Sequence, residues 1–151
     1  MLNRNVYQLA LHIRTIFENI AFDFGYMSDL CGLCKRASVQ LFLEGRKRGY
    51  NIKLVACYGH VYNTYRNYII DITATQFGKR SKVLTTKKNG NQIGNWEPIK
   101  DGITSLEELD KIIIWDTNIE DFELDCRYVK EYFDKLECKG EKNVLGNVQV
   151  S

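Results

Sequence analysis

Apolar residues recur every three or four positions along the first twenty residues of the chain, and this spacing predicts a helix with one buried face. The residues on that face are Val6, Leu9, Ala10, Ile13, Ile16, Phe17 and Ile20. A second helical pattern begins near Cys34 and ends at Arg46-Lys47-Arg48, which Gly49 follows. Cations suit the negative end of a helix dipole, and glycine suits the left-handed cap beyond it. The first third of the chain is therefore predicted to form two amphipathic helices.

The middle of the chain changes to the period of β-strands. Residues 51–58 alternate between apolar and polar types, with Ile52, Leu54, Ala56 and Tyr58 expected on one side. Residues 61–65 and 68–72 are rich in aromatic and β-branched types, which predicts a hairpin closed around Arg66-Asn67. Residues 78–94 are polar and predict a loop, with an exposed turn at 87–91.

The last third of the chain returns to helical patterns. Ser105-Leu106-Glu107-Glu108 has the form of a capping box, and the apolar spacing of residues 122–136 suits another amphipathic helix. The order of helix, helix, antiparallel strands and helices predicts an α+β fold, with the N-terminal helices packed on an antiparallel sheet and a helical C-terminal part.

Composition narrows the class of protein. With 151 residues, 44% hydrophobic and 26% charged, the chain is expected to form a single domain over residues 1–151. The net charge of +2 argues against a nucleic-acid partner or an anionic membrane surface. No secretory segment is recognised, and no apolar run is long enough to cross a bilayer, so a cytoplasmic location is expected. The chain has five cysteines, which cannot all pair with one another, so reduced thiols are expected.

Cys34 is the predicted nucleophile because it stands where a loop becomes a helix. Unpaired amide N–H groups and the positive end of the helix dipole favour a thiolate at that position. Gly32 allows a tight approach of the backbone, and the amide of Cys34 can help to bind an oxyanion. Cys31 lies in the preceding turn, and Cys57, Cys126 and Cys138 are interpreted as structural.

Hairpin register places a histidine beside an aspartate. If Tyr65 lies opposite Tyr68, His60 and Asp71 share one face of the sheet as diagonal neighbours within reach of a hydrogen bond. A loop with an odd number of residues would put Asp71 on the other face. In the expected register His60 is the general base for Cys34, and Asp71 orients the imidazole. The other histidine, His12, lies within the first predicted helix and is interpreted as structural.

Three segments carry a resemblance to a known family. They are Cys34-Lys35-Arg36-Ala37-Ser38, Gly59-His60, and residues 68–77, which run Tyr-Ile-Ile-Asp-Ile-Thr-Ala-Thr-Gln-Phe. Together they resemble small bacterial and phage members of the transglutaminase-like cysteine hydrolases, in which Cys-x-x-Ala-Ser precedes a histidine and an Asp-x-Thr-x-x-Gln-Phe stretch. The likeness spans residues 30–78. A looser similarity, through Arg36 and Ser38, is to peptidases that remove leader segments from lasso peptides.

The resemblance implies a papain-like fold with Cys34, His60 and Asp71 as a catalytic triad. Asn63 and Gln76 are candidates for polar support of the site. The predicted function is that of a cysteine-nucleophile hydrolase or acyltransferase, acting on a peptide, a protein or a small amide or ester. No organic cofactor and no metal is expected, and hydrolysis and acyl transfer share the first half of the reaction.

Three alternatives compete with the triad. Cys31, Cys34, Cys57 and His60 have a spacing compatible with structural zinc. Cys31-Gly32-Leu33-Cys34 also has the form of a redox dithiol before a helix, although that class needs a preceding strand and a βαβ unit. The third alternative is a catalytically inactive binding module of the same papain-like fold.

Overall fold

A computed structural model describes residues 1–88, 97–112 and 118–139 of the chain. These residues form an α+β fold with four α-helices, one 3-10 helix and a five-stranded antiparallel sheet. In chain order the elements are α1 (Arg4–Phe24), α2 (Cys34–Lys47), β1 (Lys53–Cys57), β2 (His60–Tyr65), β3 (Tyr68–Asp71), the 3-10 helix (Ala74–Phe77), β4 (Leu84–Lys87), β5 (Pro98–Ile103), α3 (Leu106–Ile112) and α4 (Ile119–Cys138).

Both predicted N-terminal helices are confirmed. The side chain of Asn3 caps α1 by accepting from the backbone N–H groups of Asn5, at 2.8 Å, and Val6, at 3.2 Å. The helix extends to Phe24, four residues beyond Ile20, the last residue of the predicted stripe, and ends at Gly25 in the left-handed conformation. The apolar faces of α1 and α2 pack together and against α4, so the apolar spacing is satisfied by burial between helices.

The sheet has the strand order β4-β3-β2-β1-β5, and every pair of neighbours is antiparallel. The predicted hairpin between β2 and β3 is confirmed in its even register, with Tyr65 opposite Tyr68 and Asn63 opposite Ile70. Arg66, in the turn, has a φ of 54°, the left-handed region that tight hairpin turns require. This register determines which side chains share the face on which His60 lies.

Two parts of the predicted strand pattern are wrong. Tyr58 does not continue the first strand but lies in the turn between β1 and β2, where 82% of its surface is exposed. The segment predicted as a polar loop contains β4, and the strand β5 follows it, although neither has an alternating apolar pattern. Both are edge strands, and because edge strands face solvent they can remain polar. Of the predicted turn at 87–91, Lys87 ends β4 and residues 89–91 lie outside the described residues.

The C-terminal helices begin where side chains cap them. Ser105 Oγ accepts from the N–H of Glu108 at 3.1 Å, as the predicted capping box requires. The Glu108 carboxylate accepts in return at 3.4 Å, but from the N–H of Thr104 rather than from that of Ser105. Asn118 caps α4 through a 2.8 Å bond from the N–H of Asp121, and the helix starts three residues before the predicted apolar spacing. No helix among the described residues is long and apolar enough to cross a membrane.

The apolar core lies on both faces of the sheet. Leu54 and Ala56 of β1 point towards α2 and α3, whereas Val55 and Cys57 point to the opposite face and pack with Tyr62. Successive residues of a strand alternate between faces, so the side chains of β2 and β3 divide in the same way. By this alternation His60, Tyr62 and Asp71 share one face of the sheet.

Candidate active site

Cys34 is the first residue of α2, as the sequence predicts, and is 6% exposed. Leu33 precedes it in the N-cap position, and no side chain caps this end of the helix. No acidic residue occupies the first turn. The first backbone N–H groups of α2 are thus not satisfied by a capping side chain, and together with the helix dipole they favour negative charge on the sulfur or on an oxyanion beside it.

Ser38 and Asn63 fasten α2 to β2 one helical turn beyond Cys34. Ser38 Oγ donates to the carbonyl oxygen of Val61 at 3.1 Å, and Asn63 Nδ2 donates to the carbonyl oxygen of Ser38 at 3.0 Å. Both side chains are fully buried. Because Val61 is next to His60, these two bonds fix the N-terminal end of α2 beside the start of β2. Asn63 is therefore polar support for the helix that carries the cysteine.

His60 and Asp71 form a buried pair on one face of the sheet. His60 Nε2 donates to Asp71 Oδ2 at 2.5 Å, and neither side chain is exposed to solvent. The other carboxylate oxygen, Oδ1, accepts from the backbone N–H of Thr73 at 2.9 Å and from its hydroxyl at 3.2 Å. Thr73 thus holds the carboxylate at the end of β3, which gives the Asp-x-Thr spacing a physical reason.

The third predicted site residue lies close to this pair, because the side chain and the charge of Cys34 both contribute to the raised pKa of His60. Burial alone would lower the pKa of His60, but the hydrogen bonds and charges of Asp71 and Cys34 outweigh burial and raise it from 6.5 to about 9. The imidazole is accordingly protonated at neutral pH. An imidazolium beside a sulfur atom at a helix N-terminus stabilises the thiolate form of a cysteine.

We expect the pKa of His60 to lie near 9 in a titration followed by NMR of the imidazole rings, of which the chain has only two. Asp71→Asn and Cys34→Ala should each lower it, because each removes a hydrogen bond and a charge that favour the protonated ring. Because the folded pKa lies above 6.5, the stability that the pair contributes is complete below that pH and is lost as the pH rises through about 9. A His60 resonance that titrates near 6.5 would contradict the buried pair.

Aromatic rings border His60. The ring of Phe77 meets the imidazole edge-on, with centroids 4.8 Å apart at 88°, and is 38% exposed. Tyr62 lies 5.9 Å away on the same face of the sheet. Beside Phe77, the Nε2 of Gln76 is buried. This candidate for polar support has no hydrogen-bond partner for that donor within the described part of the chain.

The alternative metal site is not formed. Within residues 1–88, 97–112 and 118–139, no three Cys, His, Asp or Glu side chains are grouped so that they could hold a metal ion. Cys31, Cys34, Cys57 and His60 all lie in this part of the chain. Cys57 instead packs with Tyr62, and burial raises the pKa of its thiol to about 11, so it is an inert core residue.

The redox alternative is also not supported by the fold. That class requires a βαβ unit with parallel strands, and every strand pair among the described residues is antiparallel. Cys31 is exposed and Cys34 is buried, and both are free thiols. Cys126 and Cys138, also free, lie on α4.

A cavity of about 270 Å³ lies between α2, α3 and α4. Lys35 and Arg36, which follow Cys34, line one side of it, and Val39, Leu106 and Phe122 contribute apolar surface. None of the three predicted site residues lines this cavity. The candidate active site is therefore distinct from it.

Arg14 is the residue near the site that sequence reasoning missed. It is 2% exposed, and its guanidinium donates to backbone and side-chain oxygens next to Asp71 and in the loop before Cys34. A signal was present in the sequence: Arg14 follows Ala10 by four residues and precedes Phe17 by three, so it falls on the apolar stripe of α1. A charged residue on such a stripe needs buried partners.

Comparison of this chain with protein-family models, with curated proteins and with solved structures gave no match.

Proposed function

We propose that this chain is a cysteine-nucleophile hydrolase or acyltransferase with a papain-like core, of the transglutaminase-like kind. The observation that carries the proposal is that Cys34, at the uncapped N-terminus of α2, interacts with His60, and that His60 is in turn hydrogen-bonded to Asp71. Any one of these residues alone is commonly structural. Their arrangement as nucleophile, base and orienting carboxylate is that of a catalytic triad.

The reaction follows from the roles of these groups. Cys34 Sγ, as thiolate, attacks the carbonyl carbon of an amide, ester or thioester, and the backbone N–H groups at the start of α2 bind the oxyanion. The bond to the leaving group breaks as His60 donates its proton to that group, which leaves an acyl group on sulfur. Water or an amine then gives a proton to His60 and attacks the acyl carbon, which frees the thiolate.

The thiolate can be tested with iodoacetamide. At about pH 6 an ordinary thiol is under about 1% ionised, so alkylation of Cys34 should be at least about tenfold faster than that of Cys138, an exposed cysteine of the same chain. Peptide mass spectrometry reports both rates in one sample, and Cys57 should remain unmodified in the folded protein. His60→Ala should bring the rate of Cys34 down to that of Cys138 or below it.

The same experiment addresses a second candidate function, a catalytically inactive binding module of the same fold. The observation that favours this alternative is the small exposed fraction of Cys34, 6%, which limits access to the sulfur. If Cys34 reacts no faster than Cys138 and His60→Ala changes nothing, the enzyme proposal fails and the binding module is favoured.

A further inference from the structure

Arg14 connects the two segments of chain that supply the candidate site. Its Nη1 donates to the carbonyl oxygen of Ile72 at 3.0 Å and to Thr75 Oγ1 at 2.8 Å. Its Nη2 donates to the carbonyl oxygen of Ser28 at 3.3 Å. The first two acceptors lie just beyond Asp71, and the third lies in the loop that runs from α1 to Cys34.

Thr75 completes the connection. Its hydroxyl accepts from Arg14 and donates to the carbonyl oxygen of Asp29 at 3.0 Å, so it bridges the same two segments. Beyond Gly25, two residues of the loop before Cys34 lie in the left-handed region, Leu30 with φ 66° and Gly32 with φ 86°. Such a loop is not held by regular secondary structure, and its position depends on contacts of this kind.

Only an arginine suits this position. Its planar group carries five N–H donors in fixed directions and can serve oxygens on separate segments at once, whereas a lysine ammonium is a compact point charge. The third nitrogen, Nε, donates to Glu18 Oε2 at 3.0 Å, one turn further along α1. Glu18 thus balances the buried charge but contacts neither of the two segments through this bond.

We propose that Arg14 is a positioning residue that sets the distance between Cys34 and the His60–Asp71 pair by clamping the loop before the cysteine to the turn after the aspartate. This inference rests on the proposed function for its catalytic meaning. The clamp itself concerns only the relative positions of the two segments, so it can be measured without catalysis. The measurement is the titration of His60, which depends on contact with both Asp71 and Cys34.

The test compares four variants with the unaltered protein, each first checked for folding by circular dichroism. Arg14→Lys and Thr75→Val remove donors or the bridging hydroxyl, and should lower the pKa of His60 from about 9 towards 6.5 and slow alkylation of Cys34 relative to Cys138 by about tenfold or more. Thr75→Ser keeps the hydroxyl and should restore both values. Glu18→Gln removes the charge partner of Arg14 on α1, together with the ion pair between Glu18 and Lys82, and should leave both values unchanged.

The outcomes separate the clamp from the proposed function. If the titration of His60 and the alkylation of Cys34 are unchanged in a folded Thr75→Val variant, the clamp is wrong, even where Arg14→Lys fails to fold. The clamp is also wrong if Thr75→Ser lowers the pKa of His60 and the alkylation rate of Cys34 as much as Thr75→Val does. The same holds if Glu18→Gln lowers them equally. Cys34 in the unaltered protein can also turn out to be no more reactive than Cys138. If Thr75→Val then still lowers the pKa of His60 while Thr75→Ser and Glu18→Gln do not, the clamp stands and the proposed function fails.

Discussion

Replacement of Asp71 by asparagine is expected to slow the acetylation of Cys34 by p-nitrophenyl acetate by about 10²-fold at about pH 6, where an ordinary thiol is under about 1% ionised. Asp71 is what keeps the buried imidazole of His60 protonated, through its 2.5 Å hydrogen bond and its charge. Asparagine has the same shape without the charge, so burial then lowers the pKa of His60. A neutral imidazole no longer stabilises the thiolate.

The pH dependence of the same reaction gives a sharper measurement than a single rate. Acetylation of the unaltered protein should have its alkaline limit at about pH 9, where His60 loses its proton, and Asp71→Asn should move that limit to lower pH. Asp134→Asn is the matched control, because Asp134 is an exposed partner of Lys130 on α4 and should not alter the profile. Cys34→Ser establishes how much of the signal comes from other thiols. A profile for Asp71→Asn that coincides with that of the unaltered protein would rule out Asp71 as the orienting group.

Local pattern was sufficient to predict the parts of the site that depend on register. Side chains alternate between the two faces along the predicted strands 61–65 and 68–72, so an even loop places His60 and Asp71 on one face. The observed pairing of Tyr65 with Tyr68 has that register. The start of α2 at Cys34 follows from helical spacing in the same way. Periods of two and 3.6 residues fix the direction of a side chain relative to its neighbours, so they carry this information within each element.

Contacts between distant elements could not be obtained from the same patterns. Arg14 and Thr75 are 61 residues apart, and nothing in the period of either segment indicates that they meet. The edge strands β4 and β5 escaped prediction because most of their side chains are exposed or only partly buried, so that no apolar alternation marks them. That Cys34 reaches the histidine also depends on how α2 docks on the sheet, which the buried bonds of Ser38 and Asn63 determine.

A second long-range contact, between Arg36 and Asp125, ties the helix of the candidate nucleophile to the C-terminal helix. Arg36 lies in the first turn of α2, and its Nε and Nη2 donate to the two carboxylate oxygens of Asp125 at 2.9 and 2.7 Å. The two residues are 8% and 1% exposed. Burial disfavours the charged guanidinium, but the hydrogen bonds and charge of Asp125 outweigh it and raise the pKa of Arg36. Tyr26 adds a further bond, its hydroxyl accepting from Nη1 at 3.0 Å.

Arg36→Met should therefore lower the free energy of unfolding by about 3–5 kcal/mol, because it leaves the carboxylate of Asp125 buried without a cation. Urea titration followed by circular dichroism measures this loss as a lower midpoint with an unchanged slope. In the variant, burial raises the pKa of Asp125, so the loss should shrink as the pH falls and the carboxyl becomes neutral. The double variant Arg36→Met/Asp125→Leu removes the unpaired charge and should recover most of the stability, since an apolar pair can replace a buried ion pair. If Arg36→Met alone is as stable as the unaltered protein, or if the double variant is less stable than Arg36→Met, an unpaired carboxylate is not the cause, and the pair does not hold α2 to α4.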